Sequence, residues 1–512
     1  MLEALDGYCI HDTPATRIPD IELPPPISER LLPLTTTNAY PNYLASARFL
    51  PEYILVRIFG HYCANDSVDV LENEHYYKHP VTVPWTLGQV CFRWRALVQS
   101  TSTLWTYVSI IFPPHNASRQ RLQAIYSRLE THLRNSGTQL LNICLCAQEI
   151  ASFSPSVSLL ELICSRSDRW EGLRLEFMGI ERNVRMNFLA YLSRLIKGRI
   201  PALRRLFLDV GSDARTGAFE ISPGLREVAV RDGLGFIKRV PLPYEHIRLW
   251  HSHNWGIDST LLREMPHLSD LRIDGEFPFL REYSLFQSLE TLTCLSLACK
   301  SSHTNGFAHF FGWADLPNLR EFRLYLQWHD EDELSFTEVL VPFLSRCGAI
   351  KSFWYASFND RHGDEGGVEF LEALPPSLES LTLIYPYYPL LDALGDRETL
   401  SDTPRLFPNL KQLGVVPLPK CSSWEECMTK IVRLRTSRQK TGLAEVSGLE
   451  RVWVDELEEN MKELVGLCAR KDIQFNGPSL PWNSTELSNL CQLFRDFRLA
   501  PPDSAGEPEV LD

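Results

Sequence analysis

A six-residue pattern recurs from residue 170 onward in this 512-residue chain and restricts the folds open to it. In each copy the first, fourth and sixth residues are apolar, and the other three vary. Apolar residues at the fourth and sixth positions lie on one face of a strand, because side chains alternate along strands. The copies have a mean spacing of about 28 residues and begin at Trp170, Leu203, Leu225, Tyr244, Leu268, Leu292, Leu319, Ile350, Leu378, Leu410 and Leu449.

The segments between copies complete a repeating unit. Several have helical spacing of apolar residues, at 184–197, 336–347, 424–435 and 456–470. A strand with this pattern at intervals of roughly 20–29 residues is typical of leucine-rich repeats, in which each repeat buries its apolar face only by stacking on its neighbours. We therefore predict an α/β fold, an irregular leucine-rich-repeat solenoid with concave parallel strands and convex helices. The alternative is a run of unrelated α/β units that share a common apolar spacing.

The sequence before residue 113 has a different character. A helix is predicted over 51–63, where Ile54, Ile58 and Tyr62 recur at intervals of four and Pro51 suits a first turn. A second helix is predicted over 87–98, after a polar loop at 64–84. Strands are predicted at 108–112 and around Ile143. So small a helical module completes its core against another surface.

Four segments follow from these patterns. Residues 1–45 are rich in Pro and Thr and are predicted to be a flexible arm. Residues 46–112 form the helical module, and residues 113–480 form the solenoid. Residues 481–512 are predicted to be a terminal helix and an acidic tail.

The helical module resembles an F-box of the kind common in fungal F-box-like proteins. The resemblance is carried by Leu50-Pro51, Ile54-Leu55, Ile58-Phe59, the run from Leu87 to Arg95, and Ser102-Thr103-Leu104-Trp105. A leucine-rich-repeat domain behind the F-box is also usual in that family. The resemblance implies a substrate receptor of an SCF-type ubiquitin ligase, in which the F-box binds a Skp-family adaptor that joins it to a cullin–RING ligase. Such a receptor is not itself an enzyme.

The resemblance also assigns residues. Each of them either contacts the adaptor or packs inside the module, and both interpretations stay open. They are Leu50, Pro51, Ile54, Leu55, Ile58, Phe59, Val90, Cys91, Trp94, Leu104 and Trp105. The main alternative function is a repeat scaffold whose F-box-like helices only cap the solenoid, without a link to a ligase.

Strand alternation identifies candidate substrate contacts on the concave side. The third and fifth positions of the copies point there, and they contain Arg174, Arg205, Phe207, Arg248, Arg272, Arg323, Trp354 and Trp453. Arginine captures carboxylate or phosphate groups, so these residues predict an acidic or phosphorylated protein substrate. The competing interpretation is that Glu227, Asp270 and Glu321, which share this surface, form neighbouring-strand ion pairs with the arginines.

Composition excludes several other classes. A net charge of −13, from 51 basic and 64 acidic residues, argues against general nucleic-acid binding. We expect no signal peptide and no membrane span, because no suitably long apolar run occurs. The thirteen cysteines are an odd number and are widely spread, which favours free thiols in a reducing compartment. The expected location is therefore the cytoplasm or the nucleus.

Patterns for catalysis or cofactor binding are absent from the sequence. No phosphate-binding loop, nucleophile elbow or zinc-protease motif occurs, so we expect no catalytic residues, no cofactor and no metal. Cys144 and Cys146 are interpreted as buried thiols. His251 and His253, which flank Ser252, allow a small metal or recognition site, but an exposed loop is the favoured interpretation.

Overall fold

The structure is a computed structural model of the chain, which divides into two compact units, residues 1–55 and 56–512. Of the first unit it describes only residues 50–55. The described ranges are 50–66, 83–113, 117–148, 157–209, 216–231, 240–255, 259–276, 289–299, 310–312, 314–326, 336–357, 367–384, 388–395, 406–416, 424–436, 449–454, 462–471 and 473–476. The predicted arm at 1–45 and the predicted tail at 481–512 lie outside them.

The described strands form one parallel sheet of fourteen strands that follow each other in chain order. Each strand from β2 to β13 is hydrogen-bonded to the strand before it and the strand after it, and β1 and β14 form the two edges. This order, with helices in several connections, is that of a leucine-rich-repeat solenoid, so the predicted fold is confirmed. The strands are β1 (Tyr107–Phe112), β2 (Leu141–Gln148), β3 (Trp170–Met178), β4 (Arg205–Asp209), β5 (Glu227–Arg231), β6 (Leu249–Trp255), β7 (Asp270–Glu276), β8 (Cys294–Cys299), β9 (Glu321–Leu326), β10 (Ser352–Ser357), β11 (Ser380–Ile384), β12 (Gln412–Val416), β13 (Arg451–Val454) and β14 (Gln474–Asn476).

The described α-helices lie in the module and in the connections between strands. They are α1 (Glu52–Asp66), α2 (Val83–Val90), α3 (Phe92–Ser100), α4 (Arg119–Asn135), α5 (Val157–Cys164), α6 (Arg182–Ile196), α7 (Ser259–Arg263), α8 (Phe336–Arg346), α9 (Gly367–Ala373), α10 (Tyr388–Leu394), α11 (Trp424–Thr436) and α12 (Lys462–Arg470). None of these described helices is long and apolar enough to cross a membrane.

The core lies between one face of the sheet and the helices. Register pairs equivalent apolar positions of successive strands, for example Leu206 with Val228, so both are fully buried in a continuous row. Phe188 of α6 packs its ring against those of Phe112 and Phe177, with centroids 5.2 and 5.0 Å apart. A fully buried side chain of this kind contributes about 1.5–3 kcal/mol. The core therefore extends from repeat to repeat.

The copy of the pattern that was predicted to begin at Tyr244 begins three residues later. Residues Tyr244–His246 form a 3-10 turn, and β6 begins only at Leu249, which pairs with Glu227. Ile247, Trp250 and Ser252 therefore take the three core positions of this copy. The polar Ser252 concealed the match. Arg248 is consequently the second residue of its copy and is exposed at the edge of the strand, not at the predicted fifth position.

The N-terminal helices differ from the prediction in one respect. Helix α1 matches the helix predicted over 51–63, but the second predicted helix is two helices, α2 and α3. They are separated at Cys91, whose backbone is extended (φ −160°, ψ 171°) and whose Sγ accepts a hydrogen bond from the Trp94 amide at 3.5 Å. This cap begins α3. Most of the loop predicted at 64–84 lies outside the described residues.

The sheet begins earlier than the predicted start of the solenoid at residue 113. Strand β1 contains the strand predicted at 108–112 and pairs with β2 over its whole length. It is therefore a strand of the sheet as well as the end of the F-box-like segment.

Candidate functional site

Several apolar side chains of the helical module face solvent. Within the second unit, Ile58 is 47% exposed, Tyr62 53%, Val90 58% and Phe92 82%. Ile58 and Tyr62 lie one turn apart on α1, whereas Val90 ends α2 and Phe92 begins α3. In the first unit, Tyr53 is also exposed. Exposed apolar groups that are concentrated in this way mark interaction surfaces.

The inner side of the module is packed and is joined to the solenoid. The Phe59 and Trp94 rings meet edge to face at 4.7 Å, which holds α1 against α3. Trp105 donates its indole N–H to the Val98 carbonyl at 2.8 Å. Its ring also contacts that of His132 on α4, with centroids 5.0 Å apart. The helices and the first repeat therefore share a core.

These observations sort the eleven predicted adaptor residues by exposure. Leu55, Phe59, Leu104 and Trp105 are buried, which agrees with packing inside the chain. Pro51, Ile58 and Val90 are exposed, and Leu50, Ile54, Cys91 and Trp94 are half-buried. Tyr53, Tyr62 and Phe92 were not among the predicted contacts, because helical periodicity does not distinguish a core face from a docking face.

The second region of interest is the strand face, which we define as the third, fifth and seventh positions of the copies. Arg205 holds a third position on it, and Arg174, Phe207, Arg272, Arg323, Trp354 and Trp453 hold fifth positions. Register places Arg174 beside Phe207 and Arg323 beside Trp354. Of the predicted substrate residues, only Arg248 lies off this face.

The arginines of the strand face have partners within the chain. Arg272 pairs with Asp270 at 3.1 Å, and Arg323 pairs with Glu321 at 2.8 Å. Arg174 pairs with Glu176, and Arg205 donates to the Asn142 side chain at 2.8 Å. These three ion pairs join residues two apart on one strand, whereas Arg231 of β5 pairs with Asp209 of the neighbouring strand β4 at 3.1 Å, as the competing interpretation expected. Residues two apart share a face, which makes such pairs local.

The aromatic residues of the strand face are buried. The guanidinium carbon of Arg174 lies 4.0 Å from the ring centroid of Phe207. The guanidinium carbon of Arg323 likewise lies 4.6 Å from the ring centroid of Trp354. Trp453 lies directly over Gly414, where a Cβ atom would be 2.2 Å from the indole nitrogen. These rings pack against other residues of the chain and are therefore not exposed for contact with a substrate.

A cluster of two histidines and an aspartate lies on the same face. His251 and His253 hold the fifth and seventh positions of the copy at β6, and Asp274 holds the seventh position of the copy at β7, paired in register with His253. Asp274 Oδ2 lies 2.7 Å from His251 Nε2 and 3.2 Å from His253 Nδ1. The imidazole centroids are 3.7 Å apart. The interpretation of these histidines as an exposed loop was wrong, since both are buried on a strand.

Electrostatics fix the charge states of Asp274 and His253. Burial raises the pKa of Asp274, but the charge of His251 and hydrogen bonds from both histidines lower it by more, to well below its usual range. Burial, followed by repulsion from His251, lowers the pKa of His253 to about 4. At neutral pH Asp274 is therefore a carboxylate and His253 is a neutral ring that donates its Nδ1–H.

Cysteine chemistry does not add to the site. Cys144 and Cys146 lie on β2 and are not disulfide-bonded, and Cys146 is buried. Burial raises the pKa of the Cys144 thiol to about 12, so it is protonated at neutral pH and is a poor nucleophile. The interpretation as a buried thiol is therefore confirmed for Cys146, whereas Cys144 is half-buried.

The fold defines this chain as a leucine-rich-repeat protein, a class typical of protein-interaction scaffolds. No protein-family model matches the chain, and no curated protein matches it. A solved structure of an internalin from Listeria monocytogenes is similar at 12% sequence identity and a TM-score of 0.25. That match covers 75% of this chain and 90% of the internalin chain. The fold assignment rests on the strand order and register of this chain itself.

Proposed function

We propose that this protein is the substrate receptor of an SCF-type ubiquitin ligase, with its F-box-like module bound to a Skp-family adaptor and its repeats bound to a protein substrate. The observation that carries this proposal is the exposure of Ile58, Tyr62, Val90 and Phe92 in the segment that resembles an F-box. The receptor performs no bond chemistry. It raises the effective concentration of a substrate lysine near the ubiquitin-charged enzyme.

The distribution of exposed apolar residues supports docking at this module. Among the described residues, eight large apolar side chains are exposed, and five of them lie between residues 53 and 92. Covering one such side chain contributes about 1.5–3 kcal/mol. Apolar and aromatic anchors of this kind account for most of the affinity in protein interfaces, more than the charged rim does.

Adaptor binding is tested with a double substitution of exposed residues. Ile58→Glu together with Val90→Glu should weaken binding of a purified Skp-family adaptor by at least about a hundredfold, since two anchors are lost and charges are placed in an apolar interface. Isothermal titration calorimetry gives the affinity. Because both side chains are exposed, the circular dichroism spectrum should be unchanged.

A matched control separates this effect from general surface changes. Ile221→Glu together with Val465→Glu alters exposed apolar residues of the repeats, and it should bind adaptor as the unmodified chain does. If the adaptor binds the module variant as tightly as it binds the control, the docking assignment is wrong. If neither the variant nor the unmodified chain binds adaptor, the ligase assignment is wrong as a whole.

The packing of Trp105 against His132 favours a second function. The module then serves as a cap that covers the first repeat of a scaffold, without a ligase partner. A terminal repeat needs such a cover, because its apolar face has no neighbour on one side. Failure of every adaptor to co-purify with the intact chain would favour this function.

A further inference from the structure

We propose that His251, His253 and Asp274 bind a divalent transition-metal ion of the zinc class on the strand face. The proposal is independent of adaptor docking, because β6 and β7 belong to the repeats. It adds a ligand site on the repeats, apart from the F-box-like module.

Three donor atoms already converge in this cluster. One nitrogen of each imidazole and one oxygen of the carboxylate lie within 4.8 Å of one another. Zinc binds imidazole nitrogen and carboxylate oxygen at about 2.0–2.2 Å, so atoms that share one ion are about 3–4 Å apart. The backbone is held by the parallel ladder, which pairs Ser252 with Ile273 and His253 with Asp274. Small side-chain rotations therefore suffice for coordination.

The cluster has lone pairs that nothing in the described structure uses. Nδ1 of His251 and Nε2 of His253 are buried and have no hydrogen-bond partner among the described residues. These two nitrogens can therefore take the protons that the rings now share with Asp274, which leaves the lone pairs of the nitrogens that face Asp274 for a metal ion. The ion also takes up the negative charge of Asp274.

The donor set selects the kind of metal. Two imidazoles and one carboxylate suit zinc, iron, copper or nickel, whereas calcium and magnesium take oxygen ligands. Three protein ligands leave a fourth position of a zinc ion for water or for a group from a bound partner. The Asp274 side chain is 30% exposed, so the cluster is accessible from solvent.

Nearby positive charges are offset by carboxylates. Arg231 of β5 is next to His253 in register, and it pairs with Asp209 at 3.1 Å. Arg272 of β7 is next to His251 and pairs with Asp270 at 3.1 Å. With both arginines neutralised, Asp274 provides the net negative charge that a divalent cation requires.

Zinc binding by the full chain tests the proposal. The protein, freed of any affinity tag and of metal, is titrated with zinc chloride in competition with a chromophoric chelator. Asp274→Asn and His251→Gln should each weaken zinc binding by at least about tenfold, since even outer-shell changes have effects of that size. His246→Gln, which changes a nearby histidine outside the cluster, should leave zinc affinity unchanged. Zinc should also raise the Tm of the unmodified chain and not that of Asp274→Asn.

Cobalt distinguishes this site from thiol sites elsewhere. Cobalt(II) bound to nitrogen and oxygen gives visible d–d absorption, whereas thiolate ligands add strong near-ultraviolet charge-transfer bands. We expect the visible bands in the unmodified chain and their loss in Asp274→Asn, with the circular dichroism of that variant showing a folded chain. Equal zinc affinity of the unmodified chain and both variants would overturn the proposal, as would zinc binding that disappears only after alkylation of cysteines.

Discussion

The contact between the helical module and the first repeat should make the stability of the protein dependent on pH. His132 of α4 is 6% exposed, and its ring packs against Trp105. Burial is the main cause that lowers the pKa of His132 from 6.5 to about 4, and the positive charge of Arg128 adds to it, while the backbone of Trp105 opposes it. The neutral ring is therefore the form that fits the folded state.

The magnitude follows from the two pKa values. The unfolded chain binds a proton at His132 below pH 6.5, whereas the folded chain binds it only near pH 4. Stability from this group is thus complete above pH 6.5 and is lost as the pH falls toward 4. At about 1.36 kcal/mol for each pKa unit, lowering the pH from 7 to 5 should cost about 2 kcal/mol, and lowering it to 4 about 3 kcal/mol.

The assay is urea unfolding at pH 7 and at pH 5, followed by circular dichroism. His132→Phe keeps an aromatic ring against Trp105 but cannot bind a proton, so it should lose about 2 kcal/mol less than the unmodified chain over this interval. His267→Phe, a change at an exposed histidine, is the matched control and should keep the full loss. If His132→Phe is as sensitive to acid as the control, the inference from burial at this contact is wrong.

Two further predictions concern the packing of the repeats. Gly414→Ala should destabilise the chain by about 1–3 kcal/mol in thermal unfolding, because its Cβ atom would overlap the Trp453 ring. Gly348→Ala is the control and should not destabilise the chain, because its Cβ atom would have open space around it. Equal destabilisation by the two substitutions would contradict the contact between Gly414 and Trp453. Arg435→Met should lower the free energy of unfolding by about 2–4 kcal/mol, because Arg435 donates hydrogen bonds to two backbone carbonyls at 2.7 Å. Arg433→Met, a change at an exposed residue of the same helix, is the comparison, and a similar destabilisation there would show that those hydrogen bonds are unimportant.

The fold was predictable because the dominant signal is local. Apolar residues at the first, fourth and sixth positions are sufficient to place a strand, and ten of the eleven copies begin in the predicted phase. The exception is the copy at β6, in which Ser252 occupies a core position and Leu249 a position on the strand face. Strand β14 was not predicted, because a strand of three residues offers too short a pattern.

The candidate site was predictable only in part. Ion pairs such as Asp270 with Arg272 can be identified from alternation alone, since both residues lie on one strand. The histidine cluster cannot, because it depends on the register between β6 and β7. His253 and Asp274 are 21 positions apart in sequence, and their pairing requires knowing where each strand begins. The phase error at Tyr244 concealed this register.

The seventh positions show that the strand face has two chemically different parts. In β3 to β7 they are charged or imidazole-bearing, whereas in β8 to β12 they are apolar. The first group is Glu176, Asp209, Arg231, His253 and Asp274, and the second is Ala298, Tyr325, Ala356, Ile384 and Val416. With strands about 4.8 Å apart, the polar group extends over roughly 20 Å.

The position of the histidine cluster at the end of that polar group matters for recognition. His251 is adjacent in register to Arg272, so a metal ion bound at the cluster and the Arg272–Asp270 ion pair would face the same ligand. A bound divalent cation adds positive charge to a surface whose arginines are already neutralised by Asp270 and Asp209. With a metal ion bound there, capture of an acidic substrate by this face should therefore depend on the metal more than on any single arginine. A substrate whose binding falls with Arg272→Glu but is unaffected by Asp274→Asn would contradict that order.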